Sequence, residues 1–299
     1  MTPRSIVLER VSKAFGHQMA VRDIDLTFAA GECIGLVGHN GAGKTTLIKL
    51  MLGLLRPDTG HVSVLGADPA GHKAVQTRRA IGYLPENVAL YPALTGEETL
   101  TFYARLKGIS TVAARPLFAR VGLSAEIACR PVRTYSKGMR QRLALAQAML
   151  GTPRVLLLDE PTTGLDPALR QSFYKILDEL RGSGTTVLLS SHQLAELEGA
   201  VDRVVVMNQG RKVADGDMLY LRRLAGVTPR LRVHLGSVDA TLPEGWQRAG
   251  RGTWELPSAE EEIAGRLRAL PPDVTTVEIV RPTLDDVYAA FLQHSGEPA

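Results

Sequence analysis

Gly38-His39-Asn40-Gly41-Ala42-Gly43-Lys44-Thr45-Thr46 reads G-x-x-x-x-G-K-T-T, the spacing of a loop that curls its backbone around a phosphate. The flanks fit that reading. Before it, Cys33-Ile34-Gly35-Leu36-Val37 is a short apolar run, as a strand buried on both faces requires. After it, Thr46 to Leu52 is helical in pattern and stops at Gly53. Strand, glycine loop and helix together predict an α/β fold built around a phosphate-binding loop. Glycines let the loop N–H groups point inward, and the helix N-terminus adds partial positive charge. Gly38 to Thr46 are therefore the candidate nucleotide-binding residues. Lys44 is placed to reach the β- and γ-phosphates, and the Thr45 hydroxyl to bind Mg²⁺.

The 299 residues suffice for one large domain and one small one. Composition is 44% hydrophobic and 22% charged, and the net charge of +4 is spread along the chain. That balance gives no argument for nucleic acid. Cys33 falls in the predicted buried strand and Cys129 stands far from it, so a disulfide is not expected. The first residues lack a charged start followed by an apolar core, so no signal peptide is expected. Nor does any segment approach the roughly 18 apolar residues of a membrane span. Work at a membrane would have to go through a partner.

Polar groups then recur at strand ends. Ile81-Gly82-Tyr83-Leu84 is a strand that Pro85 terminates, which leaves Glu86 at its carboxyl end, where α/β sheets place ligand contacts. The loop Asn87 to Thr95 carries Val88, Leu90, Tyr91 and Leu94, apolar groups that must be tucked into the core or covered by a partner. Thr95-x-x-Glu98 is a capping box for a helix to about Lys107, and a second helix is predicted over Ala113 to Val121. Ser136 is the N-cap of a helix running through Leu150. Val155-Leu156-Leu157-Leu158 then delivers Asp159 and Glu160 at a strand end. Asp159 is the expected Mg²⁺-side carboxylate, and Glu160 is placed to polarise a water as general base. A further strand, Thr185 to Ser190, ends at Ser191-His192, making His192 the third polar element brought to the same edge. Phe15 lies about two dozen residues before the phosphate loop; from position alone it either stacks on a base or packs in its own loop. Beyond Asp217 nothing looks catalytic, and strands at Arg230 to Leu235, Gly252 to Leu256 and Val274 to Val280 with two helices predict a small α+β domain.

In this order the motifs resemble the nucleotide-binding subunits of ABC transporters, over residues 1–217 with a helical subdomain at about 87–150 and an accessory domain at 218–299. The resemblance implies a P-loop NTPase fold, ATP and Mg²⁺ as cofactors, and Thr45, Glu86 and Asp159 as the metal-side residues. Phe15 becomes the adenine-stacking residue. Ser136, Lys137, Gly138 and Met139 stand where the family has S-G-G-Q. Asp166 is the acid of the loop after the Asp159-Glu160 pair, and His192 the switch histidine, catalytic with Lys44 and Glu160. It also implies a homodimer in which Ser136 and Gly138 complete the nucleotide site of the other copy. Two departures stand out: Glu86 occupies the usual glutamine position, and Lys137 replaces the first signature glycine.

The wording of "IGYLPENVALYPALTGEETL" and "TYSKGMRQRLALAQAMLG" further resembles the ATPases of nitrous oxide reductase maturation, the NosF family. That resemblance implies a NosY-like integral membrane permease, a NosD-like periplasmic subunit, and a peripheral location on the cytoplasmic face of the inner membrane. An exporter ATPase for a drug, lipid or polysaccharide is the alternative. A soluble ABC ATPase of DNA repair or translation would bring coiled-coil insertions or two cassettes in one chain, and neither is seen.

Overall fold

The protein, studied here as a computed structural model, is described over residues 3–72, 74–163, 165–192, 197–236, 242 and 245–294. It divides into two compact units, Met1–Asp215 and Gly216–Ala299.

The first unit begins with β1 (Arg4–Phe15) and β2 (Gln18–Ala29), an antiparallel pair. Their alternation sends Ile6, Leu8, Val21, Ile24 and Phe28 inward. Next come β3 (Cys33–Val37), α1 (Lys44–Met51) and β4 (Thr59–Val64), the last pairing with β1 to give the sheet order β2-β1-β4. A short helix α2 (Ala74–Arg79) leads to β5 (Ile81–Leu84). A helical stretch follows: α3 (Gly96–Lys107), α4 (Thr111–Ala114), α5 (Pro116–Arg120), α6 (Ala125–Ala128) and α7 (Lys137–Ala148). The α/β alternation then resumes with β6 (Val155–Leu158), α8 (Pro167–Gly182), β7 (Thr186–Ser191), β8 (Arg203–Asn208) and β9 (Arg211–Gly216).

The second sheet runs β5-β6-β7-β3-β8-β9, and its first five strands are parallel. Every residue of β3, β6 and β7 is buried, which explains why these strands are continuous apolar runs without alternation. Helix α1 supplies Leu47, Ile48, Leu50 and Met51 to one core shared with both sheets. Because β5, β6, β7 and β3 are parallel and in register, their carboxyl ends open on one edge. Gly38, Glu86, Asp159 and His192 all follow those ends.

One predicted element differs. The helix expected over Ala113 to Val121 is two short ones, α4 and α5, broken at Arg115. Pro116 starts the second because a ring nitrogen without an N–H suits only a first helical turn. In contrast, the capping box is present as read. The Thr95 hydroxyl accepts from the Glu98 N–H, and the Glu98 carboxylate accepts from the Thr95 N–H.

The second unit has α9 (Met218–Leu224), β10 (Arg230–Leu235), β11 (Gln247–Gly250), β12 (Thr253–Pro257), α10 (Glu260–Arg268), β13 (Val274–Val280) and α11 (Leu284–His294). Its antiparallel sheet has the order β11-β12-β10-β13. Leu231, Val233 and Leu256 fill the buried face, while Arg232 bridges Glu255 and Glu278 on the other.

Phe28 is fully buried, and the Arg203 guanidinium lies 5.7 Å from its ring centroid. Phe28→Ala is expected to cost about 3–5 kcal/mol, read as a fall in the urea midpoint. A change below about 1 kcal/mol would show that this core is not the one that holds the unit together.

Candidate functional site

Backbone geometry shapes the loop first. Gly43, the N-cap of α1, sits at φ +105°, and Gly41 at +85°. No side chain caps α1, so its first N–H groups remain available to an anion. A Cβ on Gly43 would lie 2.3 Å from the Ala20 carbonyl oxygen, so strand β2 backs the loop too closely for any side chain. Two further contacts hold the loop from beside: Gly210 N–H donates to the Ala42 carbonyl at 3.0 Å, and His39 Nε2 lies 3.0 Å from Asn208 Oδ1.

Lys44 is buried, and its ammonium donates to the Gly38 carbonyl at 2.6 Å while lying 3.4 Å from Glu160 Oε1. The Thr45 hydroxyl donates to Asp159 Oδ2 at 2.8 Å, and the Ser190 hydroxyl donates to Asp159 Oδ1 at 2.6 Å. Glu160 takes φ +50°. Its N–H donates to Ser190 Oγ at 2.9 Å, and its Oε2 lies 2.7 Å from His192 Nδ1. Its other oxygen, Oε1, is buried without a hydrogen-bond donor. Burial pushes the nearby Tyr83 phenol up to about 12, and the negative charges of Asp159 and Glu86 push the same way.

A cavity of about 400 Å³ is lined by Phe15, Gln18, Ala20, His39 to Thr46, Glu86, Asp159 and Glu160, while Gly38 and His192 reach it only through their contacts with Lys44 and Glu160. Phe15 stands at its rim, half exposed. Three carboxylates meet one lysine there, an imbalance that a hard divalent cation would offset. The oxygen set of Thr45, Asp159 and Glu86 fits Mg²⁺, which binds through one or two carboxylates and completes its shell with phosphates and water. A full protein cage is not needed, and among the described residues no group of three or more His, Cys, Asp or Glu forms one.

Ser136, Gly138 and Asp166 are not part of this cavity. Ser136 caps α7 by accepting from Met139 N–H at 3.2 Å, and Asp166 caps α8 by accepting from Leu169 N–H at 2.9 Å. The two helix starts are neighbours, since a Cβ on Gly138 would lie 3.1 Å from a Leu169 methyl. They form a second polar edge on the same unit. Sequence reasoning missed Ser190 and Gln141. The Gln141 amide donates to the Pro161 carbonyl at 3.0 Å and fixes the turn after Glu160. A serine inside the buried run Thr186–Ser191 was the readable signal.

In the loop after Glu86 the structure separates the four apolar residues. Tyr91 is 58% exposed, but Val88, Leu90 and Leu94 are half buried. The Pro92 and Leu94 carbonyls accept from Arg133 and Val132 N–H groups, which folds the loop onto the turn before α7. Tyr91 makes an edge contact with Phe102 of α3, ring centroids 6.1 Å apart, so the exposed apolar surface is an aromatic pair, not a row along the loop.

The ABC transporter family matches residues 21–163, and an AAA domain family overlaps it over residues 129–198. A Nod factor export ATP-binding protein I of Burkholderia orbicola is 40% identical over 219 residues, 72% of each chain. A daunorubicin resistance ATP-binding protein, DrrA3, of Streptomyces coeruleorubidus is 36% identical over 99% of this chain and 98% of its own. Among solved structures, an ATP binding subunit of an ABC transporter superposes with a TM-score of 0.69 at 32% identity, covering 74% of this chain and 93% of that one. The dimeric cassette MJ0796 shares the fold, with a TM-score of 0.67 at 23% identity over 71% of this chain and 98% of that one.

Gly43→Ala combines left-handed backbone strain of about 1–3 kcal/mol with the clash at Ala20. ATP affinity is expected to fall about tenfold or more by calorimetry. Unchanged affinity would mean that the loop does not need its observed curvature.

Proposed function

This chain belongs to the ATP-binding proteins of the ABC transporter family, and from that premise we propose that it hydrolyses ATP to drive a membrane partner in copper–sulfur site maturation of nitrous oxide reductase. The observation that carries the ATPase chemistry is the pair of carboxylates at one strand end, one bound to the Thr45 hydroxyl and the other beside Lys44 and His192. In this reading Phe15 stacks on adenine, and the loop from Gly38 to Thr46 wraps the phosphates. Lys44 turns from the Gly38 carbonyl toward the β- and γ-phosphates. Thr45, Asp159 and Glu86 would hold Mg²⁺, which would supply charge neutralisation at the transferring phosphoryl group. Glu160 takes the proton of the attacking water through an oxygen that has no donor of its own, and His192 orients that carboxylate.

Ser136 and Gly138 serve the nucleotide of a second copy, with Asp166 beside them. Two facts support this: they lie outside the chain's own cavity, and they edge a helix start suited to a phosphate. Lys137, exposed there, adds a positive charge where the family has glycine. In this reading a permease supplies the membrane span and the chain sits peripherally on the cytoplasmic face of the inner membrane; among the described residues no helix is long and apolar enough to cross a membrane. The exposed Tyr91–Phe102 pair suits contact with that permease.

The maturation pathway rests on the wording of the segments around Glu86 and Ser136. A second reading, an exporter ATPase, is favoured by the Nod factor and daunorubicin relatives. Deleting the gene in a nitrous oxide-reducing host separates the two. Loss of copper from the reductase, restored by the parent chain and not by a Glu160→Gln chain, supports maturation. A fully loaded reductase in the deletion strain would leave the exporter reading.

For the chemistry, Glu160→Gln keeps the side-chain shape and removes the base. Turnover is expected to fall about 100-fold or more, with ATP affinity nearly unchanged. Parent-rate hydrolysis would remove Glu160 from its role. For the partner, Tyr91→Asp is expected to abolish co-purification with the permease while the variant still folds and binds ATP. A variant that still assembles would move the contact elsewhere.

A further inference from the structure

We propose that Ser190 is a positioning residue for ATP hydrolysis: its hydroxyl clamps the left-handed backbone of Glu160 to the carboxylate of Asp159. The proposal rests on the reading of Glu160 as the general base.

The clamp stands where the sheet ends. Strands β6 and β7 pair from Val155↔Thr186 to Leu158↔Leu189. The chain then leaves the ladder, and Glu160 turns to φ +50°, a region that residues with a Cβ enter only when their surroundings hold them there. Its N–H has lost a strand partner. Ser190 Oγ takes that place, accepting the N–H at 2.9 Å. The same hydroxyl spends its one proton on Asp159 Oδ1 at 2.6 Å. One side-chain oxygen thus joins two consecutive residues that have different tasks. Ser190 is fully buried and is itself fixed by pairing with Leu36 of β3. The other Asp159 oxygen is held by Thr45 at 2.8 Å. An unbroken chain of hydrogen bonds therefore runs from the first turn of α1 through Asp159 and Ser190 to the backbone of Glu160. With this chain intact, the base keeps a fixed place relative to the carboxylate on the metal side. Without it, Glu160 can relax toward ordinary backbone angles and its carboxylate swings away from the phosphate end of the cavity.

Serine suits this position because the link needs one acceptor and one donor on a single small group. Alanine removes both bonds and orphans a buried N–H and a buried carboxylate oxygen. Cysteine keeps the size but is a weak donor and a weak acceptor.

The experiment uses the full chain and compares Ser190→Ala, Ser190→Cys and Glu160→Gln, alone and combined. Hydrolysis is measured over a range of ATP concentrations, ATP affinity by calorimetry, and folding by thermal melts. The expected result for Ser190→Ala and Ser190→Cys is a kcat lower by about 10- to 100-fold, with ATP affinity held within about threefold. In the Glu160→Gln background, Ser190→Ala is expected to lower the residual rate no further, because the serine acts through the residue already removed. If Ser190→Ala fails to fold, Ser190→Cys carries the test. Parent kcat in Ser190→Cys, or a lowered melting temperature with kcat per folded chain unchanged, overturns the proposal while leaving an inactive Glu160→Gln to support the base. Parent-rate hydrolysis by Glu160→Gln overturns both.

Discussion

Asp159 is a carboxylate with 1% of its surface exposed, and much of the site follows from keeping it there. Burying a charge costs several kcal/mol unless hydrogen bonds replace its water. Two hydroxyls do so, Thr45 from the first turn of α1 and Ser190 from β7. Each donor must sit at the carboxyl edge of the sheet, so β6, β7 and the β3–α1 junction have to end level with one another. Their parallel register achieves that. The apolar strands supply the burial that makes such alignment rigid, and the rigid edge holds polar groups that water would otherwise scatter. Buried Lys44 and Glu160 extend the same arrangement, 3.4 Å apart: close enough to offset each other's charge, and loose enough that the lysine has its shorter contact with the Gly38 carbonyl.

How far this was legible depends on whether a signal was local. Short apolar runs ending at Gly38, at Asp159 and at Ser190-Ser191-His192 located β3, β6 and β7, because a strand buried on both faces admits little else. Caps were legible for the same reason: Thr95 and Ser136 satisfy N–H groups three residues on. The break at Arg115 was missed because the apolar periodicity continues through it, and the meaning of Pro116 depends on where the first helix stops. Short α2 and β11 carry too few residues for a period to emerge. Ser190 and Gln141 could be quoted from the sequence, but their partners are 31 and 20 residues away, and no spacing rule reports such a bond. Whether the apolar groups after Glu86 are tucked in or covered by a partner could not be read locally, because the backbone bonds to Val132 and Arg133 that fold the loop down are not encoded in composition.

The second unit obeys a different rule. In β10, Arg230-Leu231-Arg232-Val233-His234-Leu235 alternates, as a sheet with one wet face requires. Leucine and valine go to the core, and Arg232 spans Glu255 and Glu278 across neighbouring strands. Such an exposed ladder fixes register more than it stabilises. The contrast with the all-buried strands of the first unit made the change near Asp217 visible in the sequence.

Three contacts bind the helical layer of the first unit to the strands beside the acids. Gly82 of β5 passes so close to α7 that a Cβ would lie 2.2 Å from the Ala148 carbonyl oxygen. Lys107, at the end of α3, donates to the Ile81 and Leu150 carbonyls at 3.1 and 3.2 Å, and its burial lowers the ammonium pKa. Gln141 reaches the Pro161 carbonyl, one residue beyond Glu160. Close-packed contacts of this kind transmit displacement because they leave no slack to absorb it. A push on the exposed Tyr91–Phe102 surface bears on α3, and α3 is tied through Lys107 to both β5 and the end of the α7 segment. The segment that bears Ser136 at one end and Gln141 in its second turn is thus mechanically continuous with the turn that sets Glu160. The physical route between an outside contact and the Glu160 carboxylate is therefore short, made of named bonds, and confined to one edge of the sheet.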